Sequence, residues 1–168
     1  MKHIDIALVS VHSPLLCGIY EDNILVESMQ SDELLLVGLP HIFESLLPTQ
    51  KQDSHYKDTR IRAIYYASGP GSFSALKLTH IFLHTLQYLY DIKLFATSSF
   101  YFTHSAYIKA FGTSYFHRDA ENNIILLQNV KDLINTQDSK EGAFFLPHIL
   151  DKSAFSLPAQ PLYILPPV

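Results

Sequence analysis

The sequence predicts an α/β fold in which three hairpin strands lead into alternating helices and strands. Three observations predict it. Residues 4–29 contain three β-rich apolar runs separated by the turns His12-Ser13-Pro14 and Glu21-Asp22-Asn23. From residue 31 the apolar spacing changes to the helical period. From residue 62 a β-rich run, a glycine turn, a helical stretch and a further short run follow in order, the alternation expected of a parallel sheet.

Taken in turn, residues 4–11, 15–20 and 24–29 read as a three-stranded antiparallel meander. Ser31 or Asp32 is placed to cap a helix running to Leu47, with apolar residues at 35, 36, 39, 42, 43, 46 and 47. Pro40 inside it predicts a kink or a broken start, and Pro48 follows its end. Residues 49–60 are polar and read as a surface loop. A strand at 62–67, a helix at 75–90 and a strand at 93–97 complete the order βββαβαβ. That order belongs to the ribonuclease-H-like half of an actin-like ATPase fold. Beyond it, residues 98–106 read as a short helix. Strands are expected at 107–111, 114–117 and 123–127, with a hairpin turn at 118–122 and a helix at 131–136. Pro147, Pro158, Pro161, Pro166 and Pro167 predict an irregular end. The expected division is an N-terminal lobe, 1–100, and a reduced C-terminal lobe, 101–168.

Composition narrows the function. Of 168 residues, 48% are hydrophobic and 17% charged, which suits a packed core rather than disorder. Net charge is −4 with no basic block, so the chain lacks the footprint of a protein that grips nucleic acid through phosphates alone. A role on RNA would therefore pass through a partner. Cys17 is the single cysteine, which excludes an intramolecular disulfide and a cysteine-rich zinc site. No apolar stretch reaches bilayer length, and His3 and Asp5 fall where a signal peptide would be apolar. The expectation is a soluble, cytoplasmic protein that does not engage membranes.

The most informative segment is Ser68-Gly69-Pro70-Gly71-Ser72-Phe73-Ser74-Ala75-Leu76-Lys77. A glycine turn between a strand and a helix can cradle an anion with free backbone N–H groups, or can simply be a tight connection. It is not a Walker A loop, since no Gly-Lys-Ser/Thr follows. The segment closely resembles the Gly-Pro-Gly-Ser-Phe-Thr-Gly-Leu-Arg motif of the TsaB (YeaZ) family, with Ser74 for Thr, Ala75 for Gly and Lys77 for Arg. Leu39-Pro40-His41-Ile42-Phe43-Glu44-Ser45-Leu46-Leu47 resembles that family's first helix, including its internal proline. Thr97-Ser98-Ser99 and Pro161-Leu162-Tyr163-Ile164-Leu165 fall where the family has Val-Ser-Ser/Thr and its closing Pro-x-Tyr-Leu-Arg. The likeness is good over residues 31–100 and thin elsewhere.

The resemblance implies a divergent, short, non-catalytic subunit. Its role would be to bind and activate a TsaD-like transferase that places threonylcarbamoyl on the adenosine beside the anticodon of certain tRNAs. A TsaE-like ATPase would join the pair, and tRNA would be reached only through the complex. No cofactor of its own is expected, with ATP or ADP confined to the interface with partner subunits, and a homodimer is the assembly expected of the lone chain. The motif loop is Gly69, Pro70, Gly71, Ser72, Phe73 and Ser74. Helix geometry offers Leu36, Leu39, Phe43, Lys77, His80 and His84 as partner contacts.

Against the wider fold, the catalytic parts are missing. Actin-like ATPases carry an aspartate in the first hairpin, and ungapped alignment places Val9 there, followed by Ser10. Asp5 would reach that position only with a lengthened turn. Valine cannot hold a cation or orient a water, so no hydrolysis is expected. TsaD-like proteins bind metal through a His-x-x-x-His motif after the fifth strand. Only His104 lies there, one position out of register. His80 and His84 share a helix face, but no nearby carboxylate or cysteine completes a ligand set. With Lys77, Gln87 and Asp91 they read as a polar stripe, and Leu78, Ile81, Phe82, Leu86 and Leu89 as the core face. Leu34-Leu35-Leu36-Val37 is wider than one buried stripe requires and reads in part as an exposed patch awaiting a partner. The ten tyrosines are scattered and read as packing groups. The rival readings are a glycoprotease-type peptidase and a homodimeric nucleotide-binding module using the Gly69 and Gly71 turn.

Overall fold

The computed structural model describes residues 1–47, 55–128 and 143–164. The helix expected at 131–136, residues 49–54 of the polar loop, Pro48, and Leu165, Pro166 and Pro167 lie outside the described residues.

Strands β1 (Lys2–Val9), β2 (Leu15–Glu21) and β3 (Ile24–Ser31) form the predicted antiparallel meander. Asp22 and Asn23 both take positive φ, 48° and 69°, as a two-residue hairpin turn demands. Strand β4 (Thr59–Gly69) runs parallel beside β1, and β5 (Lys93–Ser98) parallel beside β4. The sheet order is β3-β2-β1-β4-β5.

Its two faces are covered differently. On one, Ile4, Ile6 and Leu8 pack with Leu39, Ile42, Phe43 and Leu46 of α1 (Leu35–Leu46) and with Leu83 and Leu86 of α2 (Phe73–Tyr90). On the other, Ala7, Val9, Tyr65 and Ala67 pack against Phe102, Leu150 and Phe155, which lie in a 3-10 turn (Ser99–Phe102) and in irregular chain. That chain acts as a belt. Beside β3, Leu25 N–H donates to the His148 carbonyl (2.9 Å) and Leu150 N–H to the Asn23 carbonyl (2.8 Å). Lys152 then reaches Asp5 of β1, Phe155 packs edge-on to Tyr65 of β4, and Leu157 bridges to Ala96 of β5. The belt thus crosses the helix-free face from one sheet edge to the other.

A second sheet, β6 (Tyr107–Lys109), β7 (Tyr115–Arg118) and β8 (Ile124–Leu127), matches the three strands expected after residue 106. Phe100, Ile108, Phe116 and Leu126 form its own small core.

Four details differ from expectation. Ser31 does not cap α1: it remains in β3, paired with Leu15, and the helix starts at Leu35 behind Leu34 with no side-chain cap. The strand ladder holds Ser31 extended, and its Oγ instead accepts from Glu33 N–H. The helix also runs unbroken through Pro40, which leaves the Leu36 carbonyl without its usual donor. The short helix at 98–106 is only the 3-10 turn. Finally, α2 buries Leu76, Thr79, Leu83 and Leu86, while Ile81 (53% exposed) and Leu89 (62%) face outward rather than into the core. Spacing alone assigned them wrongly because both sides of α2 carry large apolar groups. Among the described residues no helix is long and apolar enough to cross a membrane.

Candidate functional site

Strands β1 and β4 are parallel, so Val9 and the glycine turn emerge at the same end of the sheet. Ser68, Gly69, Pro70 and Gly71 are all buried. Gly69 has φ +140°, and a Cβ there would sit 2.3 Å from the Leu162 carbonyl oxygen. A Cβ on Gly71 would sit 2.5 Å from Val11 Cβ and 2.8 Å from the Val11 carbonyl oxygen. Two hydrogen bonds fix these approaches: Leu162 N–H to Ser68 O (2.8 Å) and Ser72 N–H to Val11 O (3.0 Å). The glycines therefore admit the protein's own backbone on two sides. Ser72 stands at the N-cap of α2 without a side-chain cap bond, its Oγ 3.2 Å from Ser74 Oγ. Phe73 begins the helix, 62% exposed, and stacks on Tyr163 with ring centroids 4.7 Å apart. Two motifs separated by nearly the whole second half of the chain thus meet at this turn. Beside it lies a cleft of about 450 Å³ whose walls include Phe73, Phe111, Phe116, Leu126, Ile164 and Gln128, with no charged residue among its described lining.

The hairpin tip carries no charge. Val9 is buried and pairs with Leu16, and the next residue, Ser10, bonds through Oγ to Thr79 Oγ1 of α2 at 2.7 Å. Asp5 sits four residues back along β1, roughly 13 Å at strand rise. It is buried and fully engaged. Arg62 Nε and Nη2 donate to Oδ1 and Oδ2 at 3.0 and 2.5 Å, and Lys152 Nζ donates to Oδ2 at 2.7 Å. Lys152 Nζ also lies 5.4 Å from the Tyr65 ring centroid. Burial pushes the Asp5 carboxyl up, but the hydrogen bonds and charges of Arg62 and Lys152 overcome this and hold it below its ordinary range. Asp5 is therefore a structural anchor for the belt, and Val9 is the residue that ends β1.

The histidines are placed as follows. The rings of His80 and His84 are 4.3 Å apart, and His84 Nε2 bonds the Ala159 carbonyl at 2.8 Å. Burial, and then the neighbouring His84, lower the His80 pKa. His104 stacks on Phe145. Among the described residues no group of three or more His, Cys, Asp or Glu side chains could hold a metal ion.

The candidate partner contacts divide. Leu36 is 70% exposed and Lys77 is exposed, so both are available to a partner. Leu39 and Phe43 are not: they are 2% and 1% exposed, inside the core, with Phe43 packed edge-on to Phe82. The buried side of α1 proved to be the one carrying 39, 42, 43 and 46. His80 is half-buried, and His84 is occupied by the belt. Sequence reasoning missed Ile81, Tyr88 and Leu89 as exposed groups on α2, and missed the Asp5, Arg62 and Lys152 cluster. Only the surplus of apolar residues on α2 hinted at the first, and nothing local could reveal the second.

Sheet order, helix placement and glycine turn together define an actin-like, ribonuclease-H-like α/β fold, and solved structures share it. YeaZ from Pseudomonas aeruginosa superimposes with a TM-score of 0.52 at 15% identity, over 76% of this chain and 64% of that one. A protein described by its similarity to peptidase YeaZ from Pseudomonas aeruginosa gives 0.51 at 13% identity, over 76% and 67%. The chain thus spans under two-thirds of the length of the first. No family profile and no curated protein matches the sequence.

Proposed function

We propose that the chain is a TsaB-like, non-catalytic subunit that binds and activates a TsaD-like transferase in threonylcarbamoyladenosine modification of tRNA. The fold likeness to YeaZ and the quoted motifs support the class. The observation that carries the partner role is the helix layer, where Leu34, Leu36 and Val37 before and in α1, and Ile81, Tyr88 and Leu89 in α2, are large, apolar and exposed. A lone soluble domain rarely leaves so many such groups on adjoining helices without a use. Val9 in place of a carboxylate at the hairpin tip supports a subunit that does no phosphate chemistry itself. In this reading a TsaE-like ATPase joins the pair, nucleotide and tRNA are met only within the assembly, and the protein works in the cytoplasm. Without its partner, the same helix layer would pair two copies.

Leu36→Asp combined with Ile81→Asp tests this directly. Both side chains are exposed, so each substitution should change stability by about 0.5 kcal/mol or less, and the pair by no more than about 1 kcal/mol. Co-purification with a TsaD-like protein from native lysate should be lost. An intact complex carrying both charges would sink the assignment.

A further inference from the structure

The glycine turn is buried although it lies at the end of the sheet, and what covers it is not itself buried. Phe155 is the last buried residue of the belt, and every residue from 156 to 164 is exposed or half-exposed. This final stretch buries no side chain fully: Ala159 and Ile164 pack against the cores of the two sheets, and the remaining ties are three hydrogen bonds and one ring stack. Leu157 N–H donates to Ala96 O (3.1 Å), His84 Nε2 to Ala159 O (2.8 Å) and Leu162 N–H to Ser68 O (2.8 Å), and Tyr163 stacks on Phe73. Pro158 and Pro161 contribute no donors of their own. By contrast, the chain just before it is anchored by Phe155 in the core and by the Lys152 ion pair with buried Asp5.

Segments with few buried apolar contacts and exposed hydrogen bonds open locally, at a free energy below that of global unfolding. The boundary between chain with buried side chains and chain without them falls at Ser156. We infer that residues 156–164 form a strap that opens as a unit about this point, uncovering the glycine turn and Phe73 while the sheet stays folded. In the closed state the Leu162 carbonyl fills the space beside Gly69, and the Tyr163 ring covers Phe73. Opening would thus free the Phe73 ring face on which Tyr163 stacks and the backbone of the glycine turn, while the rest of this end of α2 is exposed already. The strap's use in controlling a partner rests on the subunit reading, but its opening does not.

Amide hydrogen exchange on the full chain, without any partner, tests the strap. The Leu157 and Leu162 amides should exchange at least about tenfold faster than those of Ile6 and Ile64, with little dependence on low denaturant. Tyr163→Ala should accelerate Leu157 and Leu162 further and leave Ile6 and Ile64 unchanged. Exchange of Leu162 at the rate and denaturant dependence of Ile64 would overturn the proposal, as would a Tyr163→Ala variant that accelerates all four amides alike. Failure here leaves the partner test unaffected, and loss of the partner leaves exchange readable.

Discussion

Gly69→Ala destabilises the protein by about 3 kcal/mol, measured by urea unfolding, and detaches residues 156–164. Two separate costs combine. A φ of +140° is strained for any L-side chain, and the new methyl would sit 2.3 Å from a backbone oxygen. Only the second cost is relieved when the segment around Leu162 moves away, because the first belongs to the turn itself. The variant should therefore stay folded at neutral pH with accelerated exchange at Leu162. Gly112→Ala is the useful contrast. Its φ is +55° but no atom lies within 4 Å of the added carbon, so strain acts without a clash. If Gly69→Ala were as stable as the unmodified protein, the close packing described for the turn would be wrong.

Asp5→Ala is the second large effect, expected to cost about 2 kcal/mol at pH 7. Removing one partner of a buried pair typically costs more, but Arg62 and Lys152 are part-exposed and water can take over some of their solvation. The sign with pH follows from the lowered pKa. The folded protein holds Asp5 ionised to a lower pH than the unfolded chain does, so the unfolded chain binds the proton first as pH falls. The stabilisation is complete above the ordinary value of 3.8 and fades as pH drops through the folded value. The stability difference between the two proteins should therefore be full at pH 7 and shrink progressively as pH is lowered below 3.8. An undiminished difference at low pH would exclude the carboxylate as its source.

Much of the N-terminal architecture was legible, because the hairpins and α2 are encoded locally. Turn residues mark the ends of β1 and β2, and strand-to-helix alternation follows from period. What was not legible depends on phase or distance. For α1, Leu36, Leu39 and Phe43 are equally apolar in sequence, and only the packing against Ile4, Ile6 and Phe82 shows which of them face inward. The start of α1 was misjudged because Ser31 is a good cap in isolation but is claimed by the β2 ladder. The belt was invisible because residues 143–164 have no periodicity. Its placement depends on Lys152 finding Asp5 and on Phe155 finding Tyr65. At the candidate site the turn was located correctly, while its occupation by Leu162 and Val11 came from opposite ends of the chain.

The belt also sets a schedule for folding. Asp5 and Lys152 are 147 residues apart, so the helix-free face of the sheet stays uncovered until late in synthesis. Contacts of such sequence separation form slowly, because a long loop must close before they contribute. A nascent chain that has completed α2 would display Ala7, Val9, Tyr65 and Ala67 with nothing over them. On the ribosome this is the interval of greatest exposure to aggregation or to chaperone capture, and it ends when Phe155 docks.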